Sequence, residues 1–218
     1  QRIATPYGAN AQRRPLGLTA TDHGLYWVTG DACGRLRPGD GLPRELWYSD
    51  GTTEGTRVIQ RFDRFGSHSS NPVLHTGGLT AAAGAAYIVA AGGEPGLRLW
   101  RADAAGVRPL APFPAAAEGV PVILGAAAGT LYTGLLTEPR AELPELGPLL
   151  NRGMTTLYAV VQDGDPQLRF KAADKPVLLP RYAPALVADE TRTYFLDARN
   201  GKLYAGAADE NFRRIAPE

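Results

Sequence analysis

Four times along the chain, a short run joining an aromatic to an aliphatic residue is followed, after a break, by a second run of the same kind. Leu25-Tyr26-Trp27-Val28 precedes Leu46-Trp47-Tyr48, and Tyr87-Ile88-Val89 precedes Leu99-Trp100. Leu131-Tyr132 precedes Leu157-Tyr158, and Tyr194-Phe195-Leu196 precedes Leu203-Tyr204. The aromatics of the second runs, Trp47, Trp100, Tyr158 and Tyr204, are separated by 53, 58 and 46 residues. A period of roughly 40–50 residues with four strands per unit is the repeat of a propeller blade. Loops absorb the differences in spacing at little entropic cost.

The flanking sequence supplies the other two strands of each unit. An apolar run rich in Ala and Gly precedes each pair, at 16–21, 79–83, 122–128 and 185–189, and a fourth strand follows it, at 57–61, 107–110, 167–171 and 212–215. Small side chains suit strands that converge. The 26 glycines and 18 prolines are spread along the chain and break it into short strands without sustained helical periodicity. The expected fold is all-β: a small β-propeller of about four four-stranded blades. It forms one domain over 1–218 with units near 16–62, 72–112, 120–172 and 183–217. Arg2-Ile3-Ala4-Thr5-Pro6 resembles Arg214-Ile215-Ala216-Pro217, so two segments compete for the closing strand. A closed ring, an open one and part of a larger ring all remain open readings.

One stretch carries more than the repeat. Glu45-Leu46-Trp47-Tyr48-Ser49-Asp50-Gly51-Thr52-Thr53-Glu54-Gly55-Thr56 is followed by Val58, Asp63, Gly66, Ser69, Ser70 and Pro72. Asp50-Gly51 is a hairpin-turn signal, Gly supplying positive φ and Asp bonding nearby backbone. This stretch resembles the ELWxxDGTxxGT repeat of secreted bacterial proteins. The resemblance covers residues 45–90 and thins to a hydrophobic skeleton beyond them. It implies a propeller-like repeat in an exported protein and, the motif being structural, no activity.

Composition narrows the function. With 23 basic and 22 acidic residues the net charge is +1, which argues against a nucleic-acid partner. No apolar run approaches the roughly 20 residues that span a bilayer. A chain beginning at Gln1 rather than Met fits a mature product whose leader has been removed. The expected location is therefore secreted, periplasmic or attached to the cell envelope. Cys33 is the single cysteine and forms no internal disulfide.

Candidate chemistry is thin. His23, His68 and His75 lack HxH or HExxH spacing, and a metal site of His68, His75 and Asp63 is short of ligands. Asp163-Gly164-Asp165 and Asp50-Gly51-Thr52 read as turns rather than Ca²⁺ loops. There is no GxSxG and no phosphate loop. No catalytic residue, metal or cofactor is expected, and a binding or scaffolding role is favoured over catalysis. The alternatives are a glycan-binding module using Tyr7, Tyr48 or Tyr182, and an enzyme acting on an extracellular polymer.

Residues 137–153 break the repeat between the second and third strands of the third unit. Leu143, Leu146, Leu149 and Leu150 lie there at near-helical spacing, although Pro144 and Pro148 oppose a long helix. A repeat needs only short turns, so an insertion carrying four leucines is expected to bind another protein of the envelope or an extracellular assembly.

Overall fold

The structure is a computed structural model. It describes residues 14–30, 44–65, 79–93, 96–111, 113, 120–137, 153–161, 164–172, 176–178, 186–197 and 200–215. Among them the regular structure is entirely β. The first sheet runs in the order β1 (Arg14–Thr21), β2 (Gly24–Gly30), β3 (Arg44–Ser49), β4 (Arg57–Phe62). The second contains β5 (Arg64–Phe65), β6 (Thr80–Ala82), β7 (Ala85–Ala91), β8 (Arg98–Asp103) and β9 (Gly106–Pro109). The third contains β10 (Val120–Ala127), β11 (Thr130–Thr137), β12 (Gly153–Val161), β13 (Gln167–Lys171) and β14 (Val177–Leu178). The fourth has β15 (Val187–Ala188), β16 (Thr193–Asp197), β17 (Lys202–Gly206) and β18 (Arg213–Ile215). Each is an antiparallel meander in chain order, the sheet of a propeller blade, and the four aromatic repeats fall one to a sheet.

Two short strands escaped the sequence reading. In the second sheet β5 and β6 share one edge of β7, so its first strand is made in two pieces. In the third, β14 continues along β12 the edge that β13 occupies. The chain divides into two compact units, Gln1–Leu110 with the first two sheets and Ala111–Glu218 with the other two.

A single register repeats in all four sheets. The second-strand tyrosines Tyr26, Tyr87, Tyr132 and Tyr194 face Tyr48, Arg101, Ala159 and Ala205. One residue further on, Trp27, Ile88, Thr133 and Phe195 face Trp47, Trp100, Tyr158 and Tyr204. Because side chains alternate along a strand, the first row defines one face of every sheet, here the tyrosine face, and the second row defines the opposite face. Both faces are apolar, so each sheet needs cover on both sides.

Within each unit, the tyrosine face of one sheet packs on the opposite face of the next. Tyr26, Val28 and Leu46 meet Ala86, Ile88 and Trp100, with Phe62 edge-on to Trp100 at 5.2 Å. In the second unit Tyr132, Leu157 and Ala159 meet Phe195 and Phe212. Phe170 stands edge-on to Phe195 at 5.1 Å, and Phe195 stacks on Tyr204 at 4.8 Å. Polar ties lock the sheets. Thr193 Oγ1 donates to the buried Tyr132 hydroxyl at 3.0 Å, and Arg169 Nε donates to the Ala208 carbonyl at 2.9 Å.

The tightest turns follow from backbone chirality. Ala83-Gly84 and Ala128-Gly129 join the first two strands of the middle sheets, with φ of 45° and 73°, and of 47° and 74°. Positive φ at both central residues gives a hairpin turn whose twist matches the flanking strands, and glycine takes the second position without strain.

Trp47, Trp100 and Tyr158 are buried and Tyr204 is half-buried, all on the opposite faces. Trp100 also donates its indole N–H to the Ala90 carbonyl at 3.0 Å. Trp100→Ala is expected to cost about 3–5 kcal/mol in chemical denaturation, the usual range for a core tryptophan. A loss under about 1 kcal/mol would place the indole outside the core.

Candidate functional site

The stretch 45–56 holds a dense polar network, and its geometry gives Glu45, Ser49, Asp50, Thr52 and Thr56 folding roles. Glu45 is buried on β3, where one carboxylate oxygen accepts the Trp47 indole N–H at 3.2 Å and the other meets Arg61 Nε at 3.1 Å. Its backbone N–H donates to Thr29 Oγ1 at 3.2 Å. Trp47 in turn stacks on Trp27, rings 6.0 Å apart and 11° from parallel. Past the strand, Asp50 Oδ1 accepts the Thr52 backbone N–H at 2.9 Å and its hydroxyl at 2.7 Å. These bonds hold the Asp50 carboxyl below its ordinary value. Thr52 Oγ1 then accepts the Gly55 N–H at 2.9 Å, and Ser49 shares a hydrogen bond with Thr56. A Cβ at Gly55 would run into the Asp50 carboxylate, so glycine is required there for space.

The other turns use the same device. Asp189 Oδ1 accepts from the Thr191 and Arg192 backbone N–H groups and from the Thr191 hydroxyl, and Oδ2 accepts the Tyr194 hydroxyl at 2.6 Å. The Tyr194 hydroxyl first, and the backbone donors after it, hold this carboxyl far below its ordinary range. Tyr194 is raised in return. Deeper in the first unit, Arg101 is buried on β8, 2.6 Å from Asp103 and above the Tyr87 ring.

Among the described residues the candidate ligands do not gather. His23 is exposed in the β1–β2 turn, where its carbonyl accepts the Tyr48 hydroxyl at 2.7 Å. Asp63 is occupied in joining the first two sheets, its backbone N–H donating to the Ala91 carbonyl at 2.8 Å and its carboxylate accepting from Gly93. Asp165 accepts from the Ala111 N–H at 3.2 Å. Tyr48, a candidate glycan contact if exposed, sits in β3, half-buried against Tyr26 with Arg57 over its ring. Cys33, His68, His75, Tyr7, Tyr182 and Asp163 lie outside the described residues, as do residues 1–13 with the first closing-strand candidate. Leu143, Leu146, Leu149 and Leu150 lie outside them too. The segment that carries these leucines joins β11 to β12, which are still paired at Thr137 and Gly153. Among the described residues no helix is long and apolar enough to cross a membrane.

One surface stands out by its departure from the repeat. On the tyrosine faces, Val28 and Leu46, Val89 and Leu99, and Gly134 and Leu157 are register-equivalent pairs, and Leu46, Leu99 and Leu157 are 0% exposed. The equivalent pair of the fourth sheet, Leu196 and Leu203, is 41% and 38% exposed. Ile215 continues this row on β18 at 37%, and Val187 shares the face on β15 at 62%. The sequence signal was present, since Leu196 and Leu203 flank Phe195 and Tyr204 and make both faces of this sheet apolar.

No family model matches the sequence, and no curated protein matches it. Among solved structures, TolB from Acinetobacter baumannii aligns with 94% of the chain at 10% identity and a TM-score of 0.45. The chain spans 44% of that protein. Virginiamycin B lyase from Staphylococcus aureus aligns with 96% of the chain at 12% identity and a TM-score of 0.41, 72% of its own length being covered. The β-propeller domain of the Trilobed protease from Pyrococcus furiosus aligns with 94% at 11% identity and 0.41, with 71% of its length covered. Likeness at this level concerns the fold alone.

Two substitutions probe these networks. Glu45→Ala leaves the buried Trp47 indole without its acceptor and is expected to cost about 1–3 kcal/mol, whereas Glu45→Gln keeps an acceptor and costs less. Equal losses in chemical denaturation would show that the indole bond contributes nothing. Asp189 has a depressed folded value, so its contribution is present above the ordinary 3.8 and is lost as pH falls toward the folded value. Asp189→Asn should therefore melt below the parent at neutral pH, and the gap should close in acid.

Proposed function

We propose that this chain is a non-catalytic, exported propeller protein that binds or scaffolds other proteins in a cell-envelope or extracellular assembly. The observation that carries the reading is the exposed apolar row Leu196, Leu203 and Ile215, with Val187 beside it, the Leu196–Leu203 pair standing at register positions where Val28 and Leu46, and Val89 and Leu99, are buried. Contiguous apolar side chains on a sheet face mark a protein contact more often than isolated exposed leucines do. The folding duties of residues 45–56 support the same reading, because the polar groups that invite a catalytic interpretation are engaged in holding the β3–β4 connection. The exported setting rests on the resemblance of that stretch to the ELWxxDGTxxGT repeat.

Leu143, Leu146, Leu149 and Leu150 are a second contact in this proposal. Their segment is removable in principle, because β11 and β12 are paired at Thr137 and Gly153 and a two-residue turn can close strands in that position. Replacing residues 138–152 with Asn-Gly is expected to leave the melting temperature within a few degrees of the parent. It is also expected to abolish retention of a partner from envelope extract. Retention unchanged in a folded, shortened protein would remove these leucines from the proposal. A steep loss of stability would make them a cover for their own sheet.

A further inference from the structure

We infer that Asn200 is a site of spontaneous covalent modification, at which the chain converts an asparagine into aspartate and isoaspartate through a cyclic imide. Asn200-Gly201 is the sole Asn-Gly pair among the five asparagines of the sequence. The reaction needs the backbone nitrogen of the following residue to reach the side-chain carbonyl carbon, and glycine brings no Cβ to obstruct that approach. Both residues are exposed in the β16–β17 connection, and Gly201 takes a φ of 67°. The Lys202 backbone N–H donates to Asn200 Oδ1 at 2.9 Å. This bond folds the carboxamide back over the Gly201 peptide, the geometry of an Asx turn, and draws electron density from Cγ. The oxygen that gains charge during attack thereby already faces a donor. The Gly201 N–H, whose nitrogen is the nucleophile, donates to the Asp197 carbonyl at 2.8 Å, but that carbonyl also accepts the Asn200 N–H at 3.3 Å. The bond closes the end of the hairpin, and both donors belong to exposed residues, so its opening is a local event.

The step balances with water alone. The Gly201 nitrogen gives up its proton to solvent and bonds to Asn200 Cγ, while the Cγ–Nδ2 bond breaks and Nδ2 takes up a proton and leaves as ammonia. Water then opens the imide. Cleavage of the new bond to Cγ gives aspartate. Cleavage of the original peptide bond gives isoaspartate, which routes the main chain through Cβ and lengthens it by a methylene. That added length sits beside the Asp197–Lys202 pair and loosens the neighbouring Leu196–Leu203 pair. The other asparagines lack this arrangement. Asn71 precedes Pro72, which has no N–H to lose, and Asn10 and Asn151 precede Ala11 and Arg152, whose Cβ atoms hinder the approach. Asn211 precedes the buried Phe212, whose N–H donates to the Arg169 carbonyl at 2.9 Å. Asp50-Gly51 closes the same turn, the Thr52 N–H donating to Asp50 Oδ1 at 2.9 Å. Its carboxyl is held in the ionised form by that donor and the Thr52 hydroxyl, and a carboxylate resists attack by a nucleophile.

Peptide mass mapping of the folded full-length chain, held for days in mildly alkaline buffer, tests this. The peptide containing residue 200 should gain about one mass unit and separate into aspartyl and isoaspartyl forms, about tenfold faster or more than any gain at Asn211. Asn200→Ser keeps a turn-compatible residue and should show no gain over the same interval. Amide exchange at Leu196 and Leu203 should quicken in the aged parent and stay unchanged in aged Asn200→Ser. A folded parent that stays unmodified at Asn200, while the same chain converts there in denaturant, shows that the bond to Asp197 protects the turn and overturns the inference. Conversion at Asn211 as fast as at Asn200 overturns it too, because the turn then selects nothing. Conversion at Asn200 without faster exchange supports the site and overturns its effect on the hairpin.

Discussion

Everything in this molecule depends on a sheet that is apolar on both faces. A half-exposed antiparallel sheet alternates apolar and polar residues and can stand with one side in water. Here the alternation is between two apolar rows, one led by Tyr26, Tyr87, Tyr132 and Tyr194, the other by Trp47, Trp100, Tyr158 and Tyr204. Such a sheet is driven to seek neighbours on both sides, and stacking sheet on sheet is the result. A slip of one residue in the pairing of β3 with β2 would turn β3 over relative to β2, setting Trp47 where Leu46 now meets the second sheet. Shape fit between rows therefore makes register and stacking one problem with one solution.

Polar chemistry in the chain is largely spent on protecting that solution. Asp50, Asp103 and Asp189 each collect donors at the end of a strand or in the turn after it, and Glu45 collects them near the start of β3. Two hydroxyls, Thr133 Oγ1 and Thr156 Oγ1, are buried on the third sheet without a protein partner. Thr133 stands where Trp27, Ile88 and Phe195 stand in the other sheets, and burial of an unpaired hydroxyl opposes stability.

The sequence made the repeat readable because aromatic side chains leave a periodic trace that glycine- and proline-rich turns punctuate. Each inner strand, each outer strand and all four central pairs fall where the residues place them. The short strands β5 and β14 were not legible: two residues cannot carry a period, and each pairs with a distant strand rather than with its neighbour in sequence. The open row of Leu196, Leu203 and Ile215 was hidden for a different reason. Its residues look like any other blade's, and only the register, together with the exposure of Leu196, Leu203 and Ile215, sets this row apart from its equivalents. The half-burial of Tyr48 was hidden for want of register as well, since nothing local reveals that its hydroxyl reaches back to the His23 carbonyl.

The tryptophans are distributed unevenly between the two compact units. All three, Trp27, Trp47 and Trp100, belong to residues 1–110, and the unit that begins at Ala111 has only tyrosine and phenylalanine as aromatic residues. Excited selectively, indole emission is therefore a spectroscopic report on the first unit, dominated by a stacked pair beside a carboxylate and one ring set against Phe62. The second unit unfolds out of sight of that signal and shows itself instead in the near-ultraviolet bands of its clustered phenylalanines and tyrosines. The chain thus carries its own pair of optical labels, and whether the two units melt together is written in the difference between them.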